Sequence, residues 1–260
     1  MWSLRLKAAT ALLLLVGCTL PPPDLTTTSA RTLTNPQSGN VYAGADTQAM
    51  QADDFANPGM LWVDQGAALW TEGEPSCQSC HDDVDSLEGV ATRYPRVDSR
   101  GNLINLTQQI ERCRTQHQGQ SPEAYESATL LALTTLVTHQ SKGLAYNVTV
   151  DGDAAPFFSA GRDYFYHRRG KMNLACHHCH EVNAGKQLRG ETLSQGHGNG
   201  YPTYRLQWQT LGSLHRRLRF CNSAIHAQPY PYGAPQYVSL ELYLAWRAAE
   251  LPLESPAVRR

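Results

Sequence analysis

The 260-residue sequence predicts an all-α chain, built as two tandem units related by an internal repeat with irregular loops between the helices. Three observations predict it. A Cys-x-x-Cys-His motif occurs twice, at Cys77 to His81 and at Cys176 to His180. Each copy follows a glycine and an aromatic or apolar pair, and each precedes one lone cysteine and an apolar stripe of helical period. A hydrophobic fraction of 41% against 17% charged residues supplies enough apolar surface for a buried core. The formal charge of −1 hides an asymmetry: beyond residue 150 there are 13 Lys+Arg against 8 Asp+Glu, a formal +5, which leaves −6 before it. That balance argues against nucleic-acid binding and gives the second half a field suited to a small anion or an acidic partner.

In chain order, Arg5 and Lys7 precede an apolar run from Ala8 to Val16. The run is too short to span a bilayer and has the layout of a secretory signal, read over residues 1–17. Leu15, Val16, Gly17 and Cys18 resemble a bacterial lipobox, which would make Cys18 an acylated amino terminus and a lipid anchor; ordinary cleavage near Gly17 or Ala30 is the alternative. Residues 18–50 read as a flexible tether, with Pro21, Pro22 and Pro23 followed by Thr26, Thr27, Thr28 and Ser29. The folded part is therefore expected outside the cytoplasm, in the periplasm.

The first unit is expected over residues 51–150 and the second over 151–260. Gly66, Leu69 and Trp70 in one, and Gly161, Tyr164 and Phe165 in the other, look like the amino-terminal helix of a cytochrome c domain. The Cys-x-x-Cys-His pattern that follows is the attachment site of c-type haem. Two thiols on one helical turn can each add to a vinyl group of the porphyrin, and the adjacent histidine reaches iron from the same side. A zinc site shared between the two pairs is the alternative, but Cys176 comes 95 positions after His81 and a histidine follows each pair. The expectation is thus two covalently attached haem c groups, held by Cys77 and Cys80 with His81 on iron, and by Cys176 and Cys179 with His180 on iron. Each unit closes on an amphipathic helix, Ser127 to His139 with Leu130, Leu131, Leu133, Leu136 and Val137, and Val238 to Ala249 with Leu240, Leu242, Tyr243, Leu244 and Trp246.

A second axial ligand is usually a downstream methionine. Here Met1, Met50, Met60 and Met172 are the only methionines, and none follows a haem motif within its own half. Cys113 lies 18 residues before Leu131, and Cys221 lies 19 before Leu240, so equivalent cysteines occupy equivalent places. Thiolate ligation of iron by Cys113 and Cys221 follows; a soft anionic donor favours ferric iron and lowers its potential. A Cys113 to Cys221 disulfide is the alternative. His117, His139, His197, His215 and His226 compete as ligands, although such residues are more ordinarily surface or packed histidines. Around Cys221, the run His215, Arg216, Arg217, Leu218, Arg219, Phe220 gathers three guanidinium groups. On a helix, Arg217 stands one turn before Cys221 on the same face, where it would lower the thiol pKa and offer forked donors to an oxyanion. A solvated basic face is the bland alternative. Cys113 is flanked by Arg112 and Arg114, but Glu111 offsets them.

From about Gly66 to Arg260 the sequence resembles the SoxA subunit family of the SoxAX cytochromes of bacterial sulfur oxidation. The resemblance is carried by Gly89 to Pro95 (GVATRYP), Glu111 to Arg114 (ERCR), Arg168 to Gly170 (RRG), Ser194 to His197 (SQGH), Tyr204 to Trp208 (YRLQW), Gly212 to Arg217 (GSLHRR), and the tail from Leu240 to Arg247 and Glu254 to Arg260. It implies a dihaem subunit paired as a heterodimer with a smaller monohaem SoxX cytochrome. It also implies L-cysteine S-thiosulfotransferase activity: thiosulfate is conjugated oxidatively to the cysteine of a SoxYZ carrier, with electrons passing through haem to SoxX and a downstream c-type cytochrome. Carried over by position, Cys221 is the catalytic sulfur, present as a cysteine persulfide and ligating haem 2; Arg217 binds the substrate; Cys113 ligates haem 1. Two positions depart from the family pattern, Phe220 where a small residue is expected and His226 where an arginine is usual. A dihaem electron carrier without substrate chemistry, and a dihaem peroxidase with one open haem face, are the readings from other classes.

Overall fold

Two helix pairs, each crossing at a glycine, organise residues 35–260, the part of the chain that this computed structural model describes. The signal reading, Cys18 and the tether before residue 35 lie outside the described residues. Helix α1 (Ala45–Ala52) leads to α2 (Met60–Thr71), α3 (Gln78–His81), α4 (Leu106–His117) and α5 (Ala128–His139). After residue 150 come α6 (Ala155–Tyr166), α7 (Cys176–His180), α8 (Leu214–Ala224) and α9 (Pro235–Arg247).

Helix α2 packs on α5, and α6 packs on α9. A Cβ added at Gly66 would stand 2.5 Å from the carbonyl oxygen of Ala132 and 2.8 Å from Leu136 Cβ; at Gly161 it would stand 2.0 Å from the carbonyl oxygen of Ser239. Only a residue without a side chain lets backbones meet this closely. The apolar stripes are the buried faces at these crossings: Leu130, Leu131, Leu133, Leu136 and Val137 on α5, and Leu240, Leu242, Tyr243 and Leu244 on α9, are all buried. Ser127, expected as the first helical residue, instead caps α5 and accepts the Leu130 amide, so the helix begins at Ala128. Helix α9 starts three residues earlier than expected because Pro235 sits in its first turn with φ already helical, and it stops at Arg247.

The all-α expectation needs amendment, since seven short strands occur among the described residues. β1 (Arg96–Val97) pairs with β2 (Leu103–Ile104), and β3 (Gln187–Leu188) with β4 (Glu191–Thr192). β5 (Thr203–Arg205) lies between β6 (Thr210–Gly212), antiparallel to it, and β7 (Ala257–Arg259), parallel to it with Thr203 opposite Ala257. Strands of two or three residues are too short to display a period-2 pattern, which is why the sequence did not announce them. The reading of 18–50 as tether also stops short, because α1 is part of the folded body. Gln51 accepts the Val258 amide through Oε1 at 3.1 Å, and Asn57 donates to the carbonyl of Pro256 at 2.8 Å, fastening this segment to β7 and its approach. No helix among the described residues is long and apolar enough to cross a membrane.

Candidate functional site

Both Cys-x-x-Cys-His motifs form a single helical turn, and each faces the helix that carries a lone cysteine. In α7, Cys176 and Cys179 are one turn apart and His180 follows. His180 Nδ1 lies 2.8 Å from the Ser194 carbonyl oxygen, so that nitrogen donates and Nε2 is left as the donor of an electron pair. Gly196, at φ 76°, lies flat on the imidazole: a Cβ there would be 2.7 Å from His180 Cγ. The ring is thus clamped in one orientation by a hydrogen bond and a backbone wall. This donor set fits a covalent c-type haem, with two thiols for the vinyl groups and a histidine whose free nitrogen is pre-aimed.

Cys221, on α8, faces this turn. Burial pushes the Cys176 thiol up to about 12 and Cys179 upward as well, and the proximity of Cys221 adds to both. Burial would raise Cys221 too, but the neighbouring Arg217, His180 and Arg205 outweigh it and hold that thiol at about 7. Cys221 is the one thiol of the three that its surroundings make acidic.

The three arginines of the α8 run diverge. Arg216 lies over the Trp208 ring, 4.4 Å from its centroid, and Arg219 lies over Tyr232 at 4.6 Å while donating to the Tyr230 carbonyl. Arg217 alone turns toward Cys221, one helical turn away, with its guanidinium 5.1 Å from the centroid of Phe220. Phe220 is therefore a platform for Arg217, although about half of it is exposed to solvent. Arg205, on β5, is only 4% exposed and joins Arg217 at the thiol. Glu191, on β4, faces both guanidinium groups, 3.5 Å from Arg205 and 3.8 Å from Arg217. Tyr201 completes the surroundings of Arg217. The sequence reading gave no role to Arg205, Glu191 or Tyr201. A charged residue at an inward position of a strand was the available signal for Arg205, but a three-residue strand conceals which positions face inward.

At the first motif, Cys77 caps α3, and Cys80 and His81 are exposed. Cys113, on α4, accepts from Gln109 Nε2 at 3.2 Å, and Cys77 accepts from Gln118 Nε2 at 3.4 Å. Burial pushes Cys77 upward, and Cys113 is among the neighbours that add to it. The His81 ring lies 5.9 Å from that of Trp70, whose Nε1 donates to the Asp82 carbonyl. Arg112 pairs with Asp98 at 2.8 Å and Arg114 with Glu123 at 2.6 Å, so both guanidinium groups beside Cys113 meet carboxylates.

Each lone cysteine thus faces the motif of its own half, and all six described cysteines are free, which does not favour a Cys113 to Cys221 bridge. Among the described residues no group of three or more His, Cys, Asp or Glu could hold a metal ion, so the pairs do not combine into the zinc site weighed above. The competing histidines are engaged elsewhere: His139 with the Ser255 carbonyl, His197 with Gln195, and His215, fully buried, stacked on Tyr125 and 3.2 Å from Glu241. His117 ends α4 on the surface. His226, exposed and at φ 57°, lines a cleft of about 500 Å³ with His167, Arg169 and Lys171.

Residues 65–146 match the family described as SoxA/TsdA, cytochrome c domain, which implies covalently bound haem c. The chain is 38% identical to the L-cysteine S-thiosulfotransferase subunit SoxA of Pseudaminobacter salicylatoxidans, over 86% of this chain and 80% of that protein. It is 36% identical to the subunit of the same name from Paracoccus pantotrophus, over 94% and 85%. The crystal structure of SoxXA from P. pantotrophus superposes with a TM-score of 0.85 at 35% identity, covering 88% of this chain and 89% of the other. With its helix-rich fold, its Cys-x-x-Cys-His turns and these relatives in agreement, the chain belongs to the SoxA family.

Proposed function

We propose that this protein is the SoxA subunit of an L-cysteine S-thiosulfotransferase, and that Cys221 with Arg217 and Arg205 is its catalytic centre. The convergence of two guanidinium groups on one half-buried thiol carries this reading. A carrier of electrons alone would use the arginine run as a solvated docking face, whereas Arg217 is turned inward, its side chain 23% exposed. The chain is read as two tandem cytochrome c-type domains, 51–150 and 151–260, holding two haem c groups. Cys77 and Cys80 would hold the first, with His81 and Cys113 as donors to its iron; Cys176 and Cys179 would hold the second, with His180 and Cys221 as donors. When bound, these groups supply one-electron acceptors of low potential.

The chain's own residues do the rest. Arg217 and Arg205 hold the anionic oxygens of thiosulfate in the forked geometry guanidinium favours. Cys221, read as a persulfide, mediates formation of the new sulfur–sulfur bond and keeps its own sulfur. The reaction joins the cysteine sulfur of a SoxYZ-type carrier to the terminal sulfur of thiosulfate, releasing one proton and two electrons. The electrons leave through a SoxX-type monohaem partner in a heterodimer and then a downstream c-type cytochrome. The resemblance and the signal-like start support a periplasmic location; the anchoring role of Cys18 rests on the lipobox pattern alone.

The test is a reconstituted assay with SoxX partner, reduced SoxYZ carrier and thiosulfate, read by the mass of the carrier. Cys221→Ala is expected to abolish conjugation, and Arg217→Ala to raise KM for thiosulfate roughly tenfold or more, the worth of one charge-assisted contact of ~1.5–3 kcal/mol. Retained turnover in Cys221→Ala would remove that sulfur from the mechanism.

A further inference from the structure

The β3–β4 hairpin brings a carboxylate to the place where the substrate anion is expected. Its ladder holds only Gln187 opposite Thr192 and Leu188 opposite Glu191, closed by Arg189 and Gly190 at φ 50° and 80°. Two left-handed residues are what a tight two-residue hairpin requires. Glu191 Oε1 then lies 3.5 Å from Arg205 Nη2, and Oε2 lies 3.8 Å from Arg217 Nη2. Both separations exceed the ~2.7–2.9 Å of a tight charge-assisted hydrogen bond. The close partner of Glu191 is neutral, Gln207 Nε2 at 2.8 Å. Arg205, its side chain 5% exposed, keeps a buried Nε without a hydrogen-bond partner. A buried guanidinium with an unused donor, beside a loosely seated carboxylate, is an anion site that the protein fills with its own side chain.

We propose that Glu191 is a specificity-determining residue, a resident competitor that thiosulfate displaces from Arg205 and Arg217. The proposal rests on the reading of Arg217 as a thiosulfate-binding residue. Displacement is an exchange of ion pairs in which no covalent bond forms or breaks. The carboxylate, its side chain 27% exposed, swings toward solvent. A dianion that reaches both guanidinium groups gains more from the exchange than a monoanion, so Glu191 filters incoming anions by charge.

The experiment titrates thiosulfate into the purified haem-loaded heterodimer by isothermal calorimetry, comparing wild type with Glu191→Gln, Glu191→Ala and Arg217→Ala, and measures KM and kcat in the carrier assay. Neutralising a partly exposed competitor is expected to tighten thiosulfate binding by about three- to tenfold in both Glu191 variants. KM should fall by more than kcat changes, and thiocyanate should gain as a competing monoanion. Unchanged or weaker binding in the Glu191 variants, with Arg217→Ala weakened, would overturn the competitor role and make Glu191 a support that orients the arginines. Thiosulfate binding indifferent to Arg217→Ala would instead remove the underlying assignment of the anion site, and the competitor role with it.

Discussion

Cys113 and Cys221 stand at corresponding places in the two halves, yet their neighbours give them different chemistry. Gln109 is the near partner of Cys113, whereas Cys221 faces Arg217 and Arg205. If both ligate iron, electron paramagnetic resonance of the ferric protein will show two low-spin thiolate-type signals. Cys113→Ala should remove one and Cys221→Ala the other; signals indifferent to both substitutions would dissolve the ligand assignment. The cysteines, the motif histidines and Arg217 were legible because their spacings lie within one helical turn or recur between the halves. Arg205 and Glu191 were not, because they reach the thiol from a short strand and a hairpin, and no local period relates such residues to α8.

The glycine crossings show how much an element can depend on one missing atom. With α2 and α5, and again α6 and α9, in backbone contact, any side chain at Gly66 or Gly161 must push a helix away. Gly66→Ala and Gly161→Ala are each expected to cost ~1–3 kcal/mol, the range for overpacking a tight interior. Thermal melts of the haem-loaded variants should fall by about 2–4 °C per kcal/mol, the sensitivity of a chain of this size. An unchanged melting temperature would mean that the crossings yield. The long helices were readable because each buries a stripe of period 3.6. The strands β1 to β7 were unreadable because pairing partners, not local pattern, make them strands.

At the scale of the molecule, the segment after α9 returns to the first half. Leu253 is 2% exposed within the core that includes Val63, Trp70, Leu136 and Val137. Its amide donates to the Leu144 carbonyl and its carbonyl accepts from Gly143, both at 2.9 Å. Leu253→Ala should therefore destabilise the protein by ~2–5 kcal/mol, as a buried leucine truncation does. Helical circular dichroism and the position of the haem Soret band should change together on denaturation; two separated transitions would show that the halves unfold independently. The same return segment orders events in time as well as in space. Turns such as α7 close through neighbours a few residues apart, whereas β5, with Arg205, acquires β7 across a gap from Thr203 to Ala257, and β7 reaches back as far as Gln51. Long loops close late in folding. The turn of Cys176 and Cys179 is thus expected to form before Arg205 is fixed, so a prosthetic group attached there would meet a chain whose proposed pocket for anions has not yet matured.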